Sequence, residues 1–166
     1  MMNKQEQQAL EADFIGMIQA HRRIIYKVCS CYVTDRSPLE DLYQESVLNL
    51  WKSYPKFRRE SAPSTWIYRV ALNTCISDLR KNDKFRRHVP LACSAETAFE
   101  QESIEEELKE LYRCIRQLKT LERAIILLYL EEKSYQEIAD ITGLSRDCVA
   151  TRLRRIKVKL KLMSNY

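Results

Sequence analysis

An all-α protein made of two small helical domains is the fold class this sequence predicts, and three observations carry it. Glycine is almost absent, two residues in 166, while Leu, Ile, Glu, Lys and Arg abound. Helix-start signatures recur, with Ser37-Pro38-Leu39-Glu40 and Ser134-Tyr135-Gln136-Glu137 both reading as capping boxes. Basic charge falls in two blocks. Residues 52–90 carry ten basic and three acidic groups, 91–113 two and seven, and 144–166 seven and one. Two basic blocks on two helical units point to two nucleic-acid contacts joined by a segment that is not one.

Composition also excludes several classes. The N-terminus, MMNKQEQQALEAD, has no hydrophobic signal core, and the longest apolar run, Ala124 to Leu130, is far short of a membrane span. A cytoplasmic protein without membrane insertion is therefore expected. Six cysteines (Cys29, Cys31, Cys75, Cys93, Cys114, Cys148) include no C-x-x-C pair, and only His21 and His88 could supply imidazole. Reduced cysteines acting as small hydrophobes fit better than a metal or disulfide framework. No cofactor, metal site or catalytic group is expected, since no nucleophile is paired with a base.

Taken in order, Gln5 to Cys31 reads as a first helix with Phe14, Ile15, Ile18, Ile25 and Val28 as its apolar stripe. His21 sits among polar neighbours and reads as a surface residue. Ser37 is expected to cap a second helix with Pro38 at its first position. Leu39, Leu42, Tyr43, Val47 and Leu50 form its core face. Asp41, Gln44 and Glu45, three and four residues apart, share the opposite side. Helix geometry alone leaves that patch open between an ordinary solvated face and a contact surface.

Ser53 to Pro63 reads as a loop holding Tyr54, Phe57, Lys56, Arg58 and Arg59. Cations for phosphates beside aromatic faces are what unstacked single strands require. Ser64 is expected to cap a third helix running to about Lys81. Trp66, Ile67, Val70, Ala71 and Leu79 read as packed, and Tyr68, Arg69, Asn73, Arg80 and Lys81 as reaching outward. Trp66 suits a core position better than a stacking platform. Lys84, Arg86, Arg87 and His88 extend the basic block to Pro90, and residues 91–105 read as an acidic linker. Helical rhythm returns at Glu106 with Leu108, Leu111, Tyr112, Ile115 and Leu118, and Thr120 is expected to cap the next helix, Leu121 to Glu131.

The most legible stretch is SYQEIADITGLSRDCVATRLRR, Ser134 to Arg155. A capped helix, a glycine where the chain needs a left-handed residue, and a second helix capped by Ser145 make a helix-turn-helix. With Val149, Leu153, Ile156 and Leu160 inward, Asp147, Ala150, Thr151, Arg154 and Arg155 face out, and Arg146 stands at the leading end. Arginine suits guanine, Asp147 a cytosine amino group, and Thr151 a thymine methyl or a phosphate. Arg152 fits DNA or an internal salt bridge, and Lys157, Lys159 and Lys161 suit nonspecific attraction.

Two blocks of sequence resemble a known family. Asp41 to Lys81, with its D-L-x-Q-E, F-R-x-E and T-W-x-Y-R-x-A elements, is similar to region 2 of bacterial sigma factors, closest to the extracytoplasmic-function (ECF) group of the sigma-70 family. Leu118 to Arg155 is similar to that group's region 4. The resemblance covers about residues 10–81 and 106–160. It implies region 2 over 8–88, a linker over 89–105 and region 4 over 106–163. It implies that Asp41, Gln44 and Glu45 hold the β′ clamp helices of core RNA polymerase, with the β flap as a further contact. It assigns promoter melting and single-strand capture to Lys56, Phe57, Arg58, Arg59, Trp66, Arg69 and Asn73, with Arg80, Lys81 and Lys84 as phosphate anchors. Ala62-Pro63-Ser64 departs from the aromatic or small residue common before T-W. Duplex promoter DNA would meet Ser145, Arg146, Asp147, Thr151, Arg154 and Arg155, and an anti-sigma factor is the expected inhibitory partner. The competing class is a stand-alone helix-turn-helix regulator acting as a dimer, which would leave the Asp41/Gln44/Glu45 patch without a task.

Overall fold

A three-helix cluster and a four-helix cluster make up the computed structural model, which describes residues 1–86 and 106–164, with side chains described over 1–83 and 106–164. Helix α1 spans Lys4–Ser30, α2 Leu39–Ser53 and α3 Pro63–Arg86, with a one-turn 3-10 helix at Tyr54–Lys56. Helices α4 (Glu106–Arg116), α5 (Thr120–Leu130), α6 (Tyr135–Thr142) and α7 (Arg146–Met163) follow. Among the described residues there is no strand. The expected linker over 89–105, with Cys93, lies outside the described residues, as do His88 and the side chain of Lys84.

The first cluster packs Phe14, Ile18, Ile25 and Val28 of α1 against Leu42 and Leu50 of α2 and Ile67, Ala71, Leu72 and Cys75 of α3, all buried. Each large side chain buried there contributes about 1.5–3 kcal/mol. Ile15, expected in the stripe, is instead 54% exposed, because the packed face of α1 runs through Phe14 and Ile18. Helix α1 is also kinked at His21, whose backbone leaves helical values while its Nδ1 lies 2.9 Å from the Met17 carbonyl oxygen. His21 is thus half-buried in a bend and not simply on the surface.

In the second cluster Ile125, Leu127 and Leu128 of α5 meet Ile138 of α6 and Val149, Leu153 and Ile156 of α7. The helix-turn-helix follows its sequence signals. The Ser134 hydroxyl accepts from the Glu137 amide at 3.1 Å, Gly143 is left-handed at φ 76°, and the Ser145 hydroxyl accepts from the Cys148 amide at 3.2 Å.

Three other expected caps fall elsewhere, two of them with the serine hydroxyl engaged by a residue far along the chain. Ser37 is buried one position too early: Pro38 precedes α2, and the Ser37 hydroxyl accepts from Asn82 Nδ2 of α3. Ser64 lies inside α3, where its hydroxyl accepts from Lys133 Nζ at 3.4 Å. Lys119, not Thr120, caps α5, while the Thr120 carbonyl accepts from the Tyr32 hydroxyl.

The two clusters touch. The Lys27 ammonium meets the Glu131 carboxylate at 2.5 Å, and the Tyr32 hydroxyl donates to the Thr120 carbonyl at 2.8 Å. Arg123 donates from Nη1 to the Cys31 carbonyl at 3.1 Å, and α3 packs against α6. Tyr68, expected to reach outward, is buried in this contact with the Lys133 ammonium over its ring. Burial first, then the nearby Glu131 carboxylate, pushes its phenol pKa up.

The described cysteines are reduced. Cys29, Cys31, Cys75 and Cys114 are buried and Cys148 is half-buried. Cys29 and Cys75 bring their sulfurs to 4.0 Å across α1 and α3, with the Ser46 hydroxyl 3.6 Å from Cys29. Burial pushes the Cys31 thiol up to about 12.

Candidate nucleic-acid interface

Three surfaces hold the candidate residues. On α2, Asp41, Gln44 and Glu45 are all exposed on one side, and Leu48, a turn further on, adds 48% of its surface to the same face. Helical spacing places Leu48 there, one turn on from Gln44 and off the core face of α2. Beside it Tyr43 stacks on Tyr26 at 4.4 Å, with the Arg22 guanidinium over the Tyr26 ring. Asp41 and Glu45 also line a groove of about 590 Å³ between α2 and α3 that Asn73 and Lys81 share. The groove is stiffened by the Asn49 amide donating to the Thr74 hydroxyl at 3.0 Å.

The second surface is the turn before α3. Phe57 lies flat on Trp66 at 4.5 Å, and Tyr54 sits beside both, with Phe14 and Trp51 beneath. Trp66 is 9% exposed, so its ring supports the turn through Phe57. A cleft of about 520 Å³ opens here, lined by Lys56, Phe57, Arg58, Glu60, Ser61, Thr65, Trp66 and Arg69, and bordered by Asp140 of α6. Lys56 and Arg58 are exposed at its edge, whereas Arg69 is half-buried and donates from Nη2 to the Asp140 carbonyl at 3.2 Å. Arg59 does not line the cleft. It adopts φ 56° and turns its guanidinium to Asp13 on α1, 3.0 Å away. Asp13 and Asp140 carry no sequence signal for this site, because both come from helices distant along the chain. Arg80 and Lys81 stand exposed further along α3.

The third surface is α7. Ser145, Arg146, Asp147, Thr151, Arg154 and Arg155 are all exposed, and Val149, Leu153 and Ile156 are buried on the other side. Asp147, Thr151 and Arg155 line one cleft of about 680 Å³ with Leu121 and Lys119 of the preceding segment. Arg152 makes no salt bridge among the described residues: its Nε donates to the Cys148 sulfur at 3.3 Å. Two of the lysines expected to attract phosphates are also engaged internally. Lys159 meets Glu122 at 2.7 Å, and Lys157 donates to the Tyr129 hydroxyl at 2.9 Å, over its ring. Among the described residues no cluster of His, Cys, Asp and Glu could hold a metal, and no helix is long and apolar enough to cross a membrane.

An exposed acidic helix face, an aromatic-backed basic cleft and a helix-turn-helix thus stand on one chain. Residues 17–85 match the family model of sigma-70 region 2, and residues 108–160 that of sigma-70 region 4. RNA polymerase sigma factor SigV of Bacillus subtilis is 31% identical over 164 residues, covering 95% of this chain and 93% of that protein. The chain is an ECF sigma factor of the sigma-70 family. The ECF RNA polymerase sigma-E factor of Haemophilus influenzae is 28% identical over 165 residues, covering 91% of this chain and 87% of that protein. In fold, this sigma factor is similar to RpoE of Bartonella quintana, solved with the anti-sigma factor NepR (TM-score 0.70, 19% identity, 92% and 94% of the two chains). It is also similar to CnrH, solved with the cytosolic domain of CnrY (TM-score 0.65, 18% identity, 92% and 88%).

Proposed function

We propose that this sigma factor docks on core RNA polymerase through α2, reads the upstream promoter element with α7, and opens the downstream element at the cleft before α3. The observation that carries this reading is the exposed trio Asp41, Gln44 and Glu45 on a chain whose other half is a complete helix-turn-helix. A DNA-binding regulator has no use for that trio, whereas a polymerase-directing factor needs an acidic handle for the β′ clamp helices. The β flap would engage the region 4 half.

In initiation the protein catalyses nothing; it positions polymerase, which performs phosphoryl transfer with its own metals. Arg146 at the leading end of α7 approaches bases, and Asp147, Thr151, Arg154 and Arg155 follow the groove. Lys56, Arg58 and Arg69 supply cations to the separated strand, and Phe57, held flat by Trp66, supplies a ring face for an unstacked base. Asn73 stands at the groove mouth shared with the polymerase face, and Arg80 and Lys81 anchor phosphates. Region 2 runs over 8–88 and region 4 over 106–163, joined by the acidic 89–105. The site of action is the cytoplasm, where polymerase and promoters are. An anti-sigma protein is the expected inhibitor, an inference supported by the sigma factor RpoE, similar in fold, having been solved with the anti-sigma factor NepR.

The test is a charge reversal, Asp41→Lys with Gln44→Lys and Glu45→Lys. Pull-down of core polymerase and run-off transcription over a genomic promoter library should both be lost, with an unchanged circular-dichroism melt. Polymerase binding that survives the triple change would overturn the reading.

A further inference from the structure

Resting on the strand-capture reading above, we propose that Asp13 is a positioning residue for the capture turn, which it reaches from α1 through Arg59 and Tyr54. Arg59 holds φ 56°, a left-handed conformation that only glycine, and to a lesser degree Asn and Asp, adopts readily. Arginine has no short polar group with which to stabilise that turn locally. An unfavourable backbone angle persists only where its surroundings over-determine it. Here the surroundings are Asp13. Its Oδ2 takes the Arg59 guanidinium at 3.0 Å and accepts the hydroxyl of Tyr54.

Tyr54 is 5% exposed and wedged among Phe14, Phe57 and Trp66. Burial, and then the hydrogen bond to Asp13, push its pKa up, so the phenol stays a donor. One carboxylate oxygen therefore ties the turn to the aromatic floor of the cleft. The ion pair by itself is weak, since both side chains are more than half exposed. The bond from the buried phenol to a carboxylate is the stronger, charge-assisted member.

Two consequences follow for strand capture. The backbone of residues 57–61 is set before DNA arrives, which lowers the ordering cost of catching a base. The Arg59 guanidinium is turned away from the cleft that Lys56 and Arg58 line, so it orders the turn and does not bind phosphate. Asp13 thus influences promoter opening without touching DNA.

The test uses holoenzyme reconstituted with core polymerase. A strong promoter from the genomic library is prepared as a full duplex and as a template already unpaired at the downstream element. Asp13→Ala should lower run-off output from the duplex, as should Arg59→Gly, which keeps the left-handed angle but removes the tether. Asp13→Ala, which removes both bonds, should do so about tenfold and Arg59→Gly about two- to threefold, with the double variant no worse than Asp13→Ala and with unpaired-template output within about twofold of wild type. Duplex output from Asp13→Ala that equals or exceeds wild type would overturn the proposal, because a freed Arg59 would then be acting as a phosphate contact. Equal losses on both templates would also overturn it, by showing a defect of folding or docking. If wild-type holoenzyme produced no promoter-dependent transcript at all, the strand-capture reading itself would fall, and this proposal with it.

Discussion

The two regions proposed to meet DNA in this sigma factor hold their cations differently. On α7, Arg146, Arg154 and Arg155 stand exposed along a helix whose other face is locked into the core by Val149, Leu153 and Ile156. In the capture region, Arg59 is held by Asp13 and Arg69 by the Asp140 carbonyl of the other half. A major groove is already present in duplex DNA, so its reader can be presented finished. A separated strand exists only after melting, and on the proposed reading its receptor is kept folded on itself, with Arg69 free to exchange the Asp140 carbonyl for a nucleic-acid acceptor.

The largest test of that contrast is to collapse the finished reader. Leu153→Ala leaves a cavity beneath α7 and should cost about 2–5 kcal/mol. Upstream-element binding should disappear in gel-shift assays with holoenzyme, while polymerase pull-down through α2 persists. Loss of both activities together would mean that the halves fold as one unit. Gly143→Ala acts on the same reader more gently. The φ of 76° strains any Cβ although nothing crowds the site, so thermal unfolding should show a loss of about 1–2 kcal/mol.

Salt dependence separates a presented arginine from a held one. Arg154→Ala should reduce the slope of log affinity against log salt for duplex DNA by about 0.9. Arg69→Ala should leave that duplex slope unchanged and weaken only templates with an open downstream element. Smaller still is the bond between halves. Glu131→Gln deprives Lys27, itself 43% exposed, of its partner, and should cost about 0–1 kcal/mol. Its signature is a wider separation between fluorophores placed on α1 and α7.

The least change is confined to acid pH. Hydrogen bonds from the Ser134 amide and then the Ser134 hydroxyl hold the Glu137 carboxyl below its ordinary 4.5. A depressed carboxylate stabilises the fold above the unfolded value and loses that contribution as pH falls through the folded one. The wild-type advantage in melting temperature over Glu137→Gln should therefore be full near neutrality and fade only as the pH falls below 4.5, through the depressed folded value.

What the sequence discloses follows the same division. The helix-turn-helix is written in local signals: Ser134 with Glu137, Gly143, and Ser145 each act within four residues, and each stands where expected. Helix α5 starts one residue earlier than a cap at Thr120 would set it, and the caps expected at Ser37 and Ser64 fall elsewhere, their hydroxyls engaged by Asn82 and Lys133 far along the chain. Tyr68 departs from expectation for the same reason, since α6 covers a position whose neighbours in sequence read as open. No periodicity could pair Lys27 with Glu131, or bring Asp13 to Arg59. The candidate surfaces themselves are legible, because exposure on a helix repeats with its turn. The partners that restrain them are not, because they come from elsewhere in the fold.

The sulfurs of the first cluster have a use in the laboratory. Cys29 and Cys75 are sealed between α1 and α3 and Cys31 is buried just beyond α1, while Cys148 is within partial reach of solvent. A thiol reagent added to the native protein will therefore tag Cys148 promptly and wait on the other three until the helices part. The lag is a clock for the breathing of the polymerase-binding half, readable by mass spectrometry on the unmodified chain, and any ligand that tightens that half will slow it.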